Sequence, residues 1–533
     1  MMLTLVQTAL FLCPAWTQAE TTVPARGVVF EDRNGNGTRD RGEPGIADVA
    51  VSNGRDVVVT DSKGRYELAV EDIVFVIKPA GWQVPLQPKT QLPQHYYVHR
   101  PEGSPETEYA GVAPTGELPG SIDFPLTRQE ESKDFRVVCF GDTQPRNQRE
   151  VDYVSHDIVE ELVGVDAAFG MTLGDLAYDH LETLVPIAST IGLLGLPWHH
   201  VIGNHDVNRD AAAPEDAFET YTRIFGPPYY AFNHGDVHFV ALNSVTWEPD
   251  RTAYHGELGP RQLEFLANDL ALVPKDKLVV LLMHIPLWDF TDKAQVLELL
   301  APFEHSLSLA AHWHRHQNIF LPLPVAEPRE HHLIVHGTAC GGWWTGEPDE
   351  RGIPHAIMSD GSPNGYSILT FTGNEYSLRY KAAHRPASYQ MNVYAPEVIA
   401  SADAPDTEVV VNYFTGSRKS IVRMSLDGGE WQPMEQFEGK DPGIAAVKAR
   451  QSEFARRIAK DRGIETFDDQ VQREIYGDYR RIVGRQSPGV ADIDHLWRAN
   501  LPTDLAPGYH MIHVHVRDMF GQEHEAHRVI RVE

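Results

Sequence analysis

Cysteine is nearly absent: Cys13, Cys139 and Cys340 are the three found in 533 residues. They lie far apart and form no CxxC pair, so the chain offers neither a disulfide framework nor a thiolate-built zinc site. Cys139 sits in the apolar run 135–140 and reads as a small buried hydrophobe. No internal run of roughly 18 or more apolar residues occurs, which argues against a membrane span. Internal repeats and low-complexity tracts are missing too. Basic residues are in deficit, with 46 Lys+Arg against 75 Asp+Glu and a formal net charge of −29. This argues against a general nucleic-acid binder, because phosphate backbones recruit basic surfaces. With 42% hydrophobic and 23% charged residues the composition is globular, and the length suggests about three domains. Against these scarcities stand 26 histidines.

Residues 3–16 are apolar and are followed by Thr17-Gln18-Ala19, a small-x-small pattern. Residues 1–19 are therefore expected to be a secretory signal, although a positive n-region is missing. A periplasmic or secreted location follows from that expectation. The alternative is a buried first strand or helix. Leu12 precedes Cys13 where lipidation would want a small residue.

Residues 20–100 carry short β patterns, with turn signals at Asn53-Gly54 and Lys63-Gly64, and read as a small β-sandwich. Residues 101–133, rich in Pro and Gly at their start, read as a linker. From 134 to 384, apolar strand runs alternate with helical spacings such as Val151, Val154, Ile158 and Leu162, which is α/β layering. Short strands return over 385–533, interrupted by a charged, helix-prone stretch at 437–485, so this part reads as a second β-sandwich with a helical insertion.

Five polar blocks mark the α/β region, most of them directly after an apolar strand. They are Gly141-Asp142-Thr143-Gln144, Gly174-Asp175, Gly203-Asn204-His205-Asp206, Met283-His284, and Ala311-His312-Trp313-His314. The ends of strands are where α/β sheets place their sites. Carboxylate, amide oxygen and imidazole without thiolate suit Mn, Fe or Zn ions. Each block alone is weak: a Gly-Asp is usually a turn, and a single His after a strand is usually core. The information lies in their order.

As an ordered set these blocks resemble the calcineurin-like metallophosphoesterase superfamily, whose pattern runs DxH, GDxx, GNH(D/E), H and GHxH. The resemblance implies an α/β metallophosphoesterase sandwich flanked by helices, and two divalent metal ions (Mn, Fe, Zn or Mg) sharing one carboxylate. By motif, Asp142 and His314 would hold the first ion, with Gln144 in the place of the family's histidine. Asn204, His284 and His312 would hold the second, and Asp175 would bridge. His205 would stand beside the substrate as the catalytic residue, oriented by Asp206. The family's chemistry is hydrolysis of a phosphate mono- or diester by a metal-bridging hydroxide, with His205 assisting the leaving group. Gln144 is a departure: a neutral amide oxygen is the weaker ligand. Ala311 replaces the Gly of GHxH, a small change. The β-domains on either side, the string 336–366 and Asp518-Met519-Phe520-Gly521 are similar to a bacterial subgroup of the same superfamily.

Residues 32–43 fit D-x-[DN]-x-[DN]-G-x5-E. Asp32, Asn34, Asn36, Asp40 and Glu43 would supply side-chain oxygens and Thr38 its carbonyl to a structural calcium ion, with Gly37 at the sharp turn. The strand context is similar to calcium loops in repeat domains of bacterial adhesins. The plain alternative is an Asx-rich turn without an ion.

Arg146, Arg209 and Asn204 are candidates to hold the phosphate, and Trp343 and Trp344 to stack on a sugar or base or to pack between domains. The expected partner is a small phosphorylated molecule. The rival reading is a non-catalytic, calcium-dependent adhesion protein built on the same fold.

Overall fold

The computed structural model describes residues 24–533 apart from Glu71 and Asp504. The expected signal segment, 1–19, lies outside the described residues. The architecture is an α/β sandwich flanked by two β-domains.

The N-terminal domain pairs two four-stranded sheets. One revises the sequence reading. Phe124–Arg128, placed in the expected linker, runs parallel to Pro24–Glu31 inside the first sheet. The alternation Phe124 and Leu126 in, Pro125 and Thr127 out, supplies the half-buried face that a short strand needs.

The central domain is built on two sheets. In the five-stranded sheet Trp198–His200, Phe169–Thr172 and Asp134–Phe140 are parallel, and Gly365–Thr372 and Glu375–Ala382 close it antiparallel. In the six-stranded sheet Val237–Ala241, Leu278–Leu282, His305–Ala310 and Glu330–Val335 are parallel, with antiparallel edges. Leu278–Leu282 is buried at every position, as a strand covered on both faces must be. Val137, Cys139 and Met171 of one sheet join Val280, Leu282, Leu307 and Leu309 of the other in one core. Val151, Val154, Ile158, Leu184, Ile187 and Ile191 cover the outer face of the five-stranded sheet.

The C-terminal domain is a four-stranded and a five-stranded sheet. Two helices, Pro442–Asp461 and Asp469–Val483, interrupt it between Glu435–Lys440 and Asp492–Asn500. Asp441 caps the first helix by accepting the Ile444 amide at 2.8 Å, with Pro442 at the first helical position. The insertion thus begins after Lys440, because 435–440 pairs with Asp492–Asn500. No helix of the described residues is long and apolar enough to cross a membrane.

Candidate metal centre

The parallel strands of both sheets end at one edge, and five of the seven are followed by a turn that carries a polar block. Gln144, Asp175, His312, His314 and Trp343 all adopt left-handed backbone with φ between +37° and +67°. Such conformations cost energy in non-glycine residues and cluster at functional sites. Gly174 has φ +90°, and a Cβ there would lie 2.6 Å from the His284 ring, so glycine is needed for the close approach.

Two backbone carbonyls fix the imidazole tautomers. His314 donates its Nδ1–H to Gly341 O at 2.6 Å, and His284 donates its Nδ1–H to Leu173 O at 2.8 Å. A carbonyl can only accept, so in each neutral ring Nε2 carries the lone pair. The His314 lone pair faces Asp142 Oδ2 at 3.1 Å, an oxygen that is buried and accepts no hydrogen bond. The His284 lone pair faces Asn204 Oδ1 at 3.0 Å, Asp175 Oδ2 at 3.2 Å and His312 Nδ1 at 3.1 Å. One donor atom each from Asp175, His284 and His312 lies within 4.8 Å of the others. Acceptors converging in a buried site repel unless a cation sits among them. The donors present therefore fit two divalent ions: Asp142 and His314 on one side, Asn204, His284 and His312 on the other, and Asp175 between.

Titration behaviour carries the same sign. Burial pulls the His284 pKa down, but Asp175 and Asp142 outweigh it and push it up to about 9. Against burial, Cys340 and Asp142 hold His314 well above the ordinary histidine range. Burial and then His284 bring His312 down to about 4. Burial opposes ionisation of Asp175, yet His284 and His205 hold it well below the carboxylate range. The shifts of His284 and His314 thus favour positive charge where the donor set calls for a cation.

Gln144 stands in the cluster but does not act as an oxygen ligand in this arrangement. Its Nε2–H donates to Asp175 Oδ2 at 2.7 Å, and its Oε1 accepts from Cys340 Sγ at 3.5 Å. Ligation through Oε1 would require the amide to turn over.

His205 is placed beside the centre by its backbone amide, which donates to Asp175 Oδ1 at 2.9 Å. Its orienting partner is not Asp206. Asp206 is fully buried and points away, accepting the amides of Leu176, Ala177 and Gly203 at 3.1, 2.8 and 2.9 Å. It holds the two loops together, and burial and then Asp175 raise its pKa to about 7. The carboxylate on His205 Nδ1 is Asp179, at 2.6 Å. Burial lowers the His205 pKa, but Asp175 and Asp179 prevail and raise it. Asp179 lies four residues after Asp175, outside the Gly-Asp motif, and carries no motif of its own.

Arg209 binds Asp179 Oδ1 through Nε at 3.0 Å and is 42% exposed, at the mouth of the site. Arg146 lies 4.0 Å over the Tyr178 ring, and Tyr178 stacks on His205 at 4.5 Å. Trp343 stacks on His314 at 4.1 Å. Tyr254, unmarked by any motif, meets His312 edge-on at 5.9 Å. Trp344 is a correction: it is buried beside Tyr153 and donates its indole N–H to Thr143 O at 3.0 Å, so it is core and cannot stack on a substrate.

In the N-terminal loop, Asp32 accepts the amides of Gly35 and Gly37 at 2.7 and 2.8 Å, and Glu43 those of Arg33 and Asp40 at 2.9 and 2.8 Å. Asn34 and Asn36 donate their side-chain amides to Asp40 Oδ2 at 2.8 and 2.9 Å. The Thr38 amide donates to Asn36 Oδ1 at 2.8 Å. The loop is a closed ring of Asx turns with Asp32 and Glu43 buried beneath it.

Comparison with known proteins yields three family matches. Residues 135–316 match the calcineurin-like phosphoesterase family, residues 33–110 match the N terminal of calcineurin-like phosphoesterase, and residues 334–524 match its C terminal. No curated protein matches the chain. Among solved structures, purple acid phosphatase PPD1 from yellow lupin (Lupinus luteus) seeds matches at 12% identity, over 64% of this chain and 69% of that one, with a TM-score of 0.33.

Proposed function

Since the chain belongs to the calcineurin-like phosphoesterase family, with that family's N-terminal and C-terminal domains on either side of the catalytic one, we propose that it hydrolyses phosphate mono- or diesters at a two-metal centre. The observation that carries this is the convergence of His284 Nε2 on Asn204 Oδ1 and Asp175 Oδ2, and of His314 Nε2 on Asp142 Oδ2, with both Nδ1 atoms held on backbone carbonyls. When bound, two divalent ions (Mn, Fe, Zn or Mg) acidify a water and neutralise phosphoryl charge.

The chain's own residues supply the rest. Asn204 spends its Oδ1 on the His284 side of the centre. Among the described residues its Nδ2–H is buried without a partner, and it is the group to donate to a phosphoryl oxygen. His205, tied at Nδ1 to Asp179, keeps Nε2 to hand a proton to the leaving oxygen. Arg209 at the mouth adds positive charge for the anionic ester. Trp343 offers its ring to the substrate beside His314. Turnover of p-nitrophenyl phosphate and bis-p-nitrophenyl phosphate with added Mn²⁺ tests the proposal and ranks the two ester classes. No turnover of either with both metals bound would support the non-catalytic, adhesive reading.

Two attributes complete the proposal. The loop 32–43 binds calcium for stability, which calcium-dependent protection of the N-terminal domain from heat would establish and identical melting in chelator would refute. The protein is exported and loses residues 1–19, which N-terminal sequencing of the mature protein would verify.

A further inference from the structure

The helices inserted in the C-terminal domain end beside the catalytic domain. Gly484 follows Asp469–Val483 with φ +71°, and a Cβ there would lie 2.0 Å from Gly346 O. The next residue, Arg485, accepts the Gly346 amide at 2.8 Å through its carbonyl. Ser487 is fixed from the first inserted helix by Lys448 Nζ at 2.8 Å and Gln451 Nε2 at 3.0 Å. The insertion thus clamps the loop that carries Trp343.

The Arg485 side chain continues this contact toward the metal centre. Its Nη1 lies 3.1 Å from Glu150 Oε1, a charge contact without hydrogen-bond geometry. Glu150 is buried, and its other oxygen accepts the Arg146 amide at 2.9 Å and lies 3.3 Å from Arg146 Nη1. Arg146 Nη1 also donates to Trp343 O at 3.0 Å. The Arg146 guanidinium covers Tyr178, whose ring is stacked on His205 at 4.5 Å with 20° between planes. One buried carboxylate between two guanidinium groups fixes where both lie, because a buried charge with a missing partner is costly. Asp179 fixes one edge of the His205 ring, and Tyr178 fixes its face.

We infer that Arg485 of the C-terminal domain is a positioning residue for His205, acting through Glu150, Arg146 and Tyr178. Its catalytic consequence rests on the phosphoesterase reading above. An imidazole that protonates the leaving oxygen matters most when that oxygen is basic. Loosening the shelf therefore slows esters of alkyl alcohols and spares esters of p-nitrophenol.

The test compares wild type, Arg485→Met and Arg485→Lys. In metal-free protein labelled with ¹³C at histidine Cε1, the His205 signal is assigned by its loss in His205→Ala. Stacked under Tyr178, it carries a ring-current shift that Arg485→Met diminishes and Arg485→Lys retains. In Mn²⁺-loaded protein, kcat of Arg485→Met falls about tenfold on an ethyl ester and less than about twofold on the matching p-nitrophenyl ester. An unmoved His205 signal overturns the inference. So do equal losses on the two esters, which mark a merely structural role, or no loss on either. If wild type turns over neither ester while the His205 signal still moves, the phosphoesterase reading fails and the coupling from Arg485 to His205 stands.

Discussion

His205 Nδ1 lies 2.6 Å from Asp179 Oδ1, while the adjacent Asp206 turns inward to three backbone amides. The two carboxylates therefore fail differently when removed. We expect Asp179→Ala to fold normally, to bind metal like wild type and to lose about 10²-fold in kcat, the scale of a general-acid contribution. Asp206→Ala leaves three buried N–H groups unpaired and is expected to cost about 3 kcal/mol or more of stability. Melting curves and steady-state kinetics on the same two proteins check both.

Trp343 and Trp344 are neighbours with opposite fates. Trp344→Ala empties a core position and removes the bond to Thr143 O, so a loss of about 3–5 kcal/mol is expected. Trp343→Ala removes a ring from the wall beside His314. Its melting temperature is expected to stay near wild type while KM rises for esters with an aromatic alcohol more than for those with a small one.

The ordered blocks at 142, 175, 204, 284 and 312–314 were legible because most of them follow an apolar strand directly, and strand ends are where α/β folds gather their sites. Partner choice was not legible. Whether Asp179 or Asp206 faces His205 depends on side-chain direction in a turn with left-handed residues, which spacing does not encode. Trp343 and Trp344 have the same composition signal, and only the backbone turn sends one outward. Phe124–Arg128 reads as linker from sequence because its pairing strand begins at Pro24, far away along the chain. Arg485 had no local signal at all, since its contact with Glu150 exists only once the C-terminal domain is docked.

The raised pKa of His284 has a defined consequence for metal binding and for the metal-free fold. Its value rises from an ordinary 6.5 to about 9, so a proton must leave before metal enters anywhere between these limits. We expect metal affinity to rise with pH across that window, by up to about tenfold per unit for each displaced proton. The metal-free fold behaves oppositely. A raised folded pKa gives stability that is full below 6.5 and is lost as pH rises through about 9. Calorimetric metal titrations from pH 6 to 9, paired with melting curves in chelator, check the opposed slopes; parallel slopes would contradict the assignment.

Lys78 and Glu131 make a buried ion pair at the junction of the N-terminal and catalytic domains, 2.6 Å apart, with side chains 10% and 3% exposed. The same segment is anchored by the Asn233 amide on Lys78 O at 2.8 Å. Burial opposes the charge on Glu131, but Lys78 prevails and holds its pKa below the ordinary 4.5. A depressed carboxylate contributes stability that is present above that value and lost as pH falls through the folded one. Lys78→Met leaves the carboxylate buried with His234 at 3.5 Å and the Gly235 amide at 3.0 Å but without its cation, and is expected to cost about 3–5 kcal/mol at neutral pH. That loss should shrink on acidification, as Glu131 takes up a proton and no longer needs a cation. The double variant Lys78→Met with Glu131→Gln removes both charges and is expected to recover most of the stability. Denaturant unfolding of the three proteins at pH 7 and pH 4 decides: a double variant as unstable as the single would mean that Lys78 acts through packing and not through its charge.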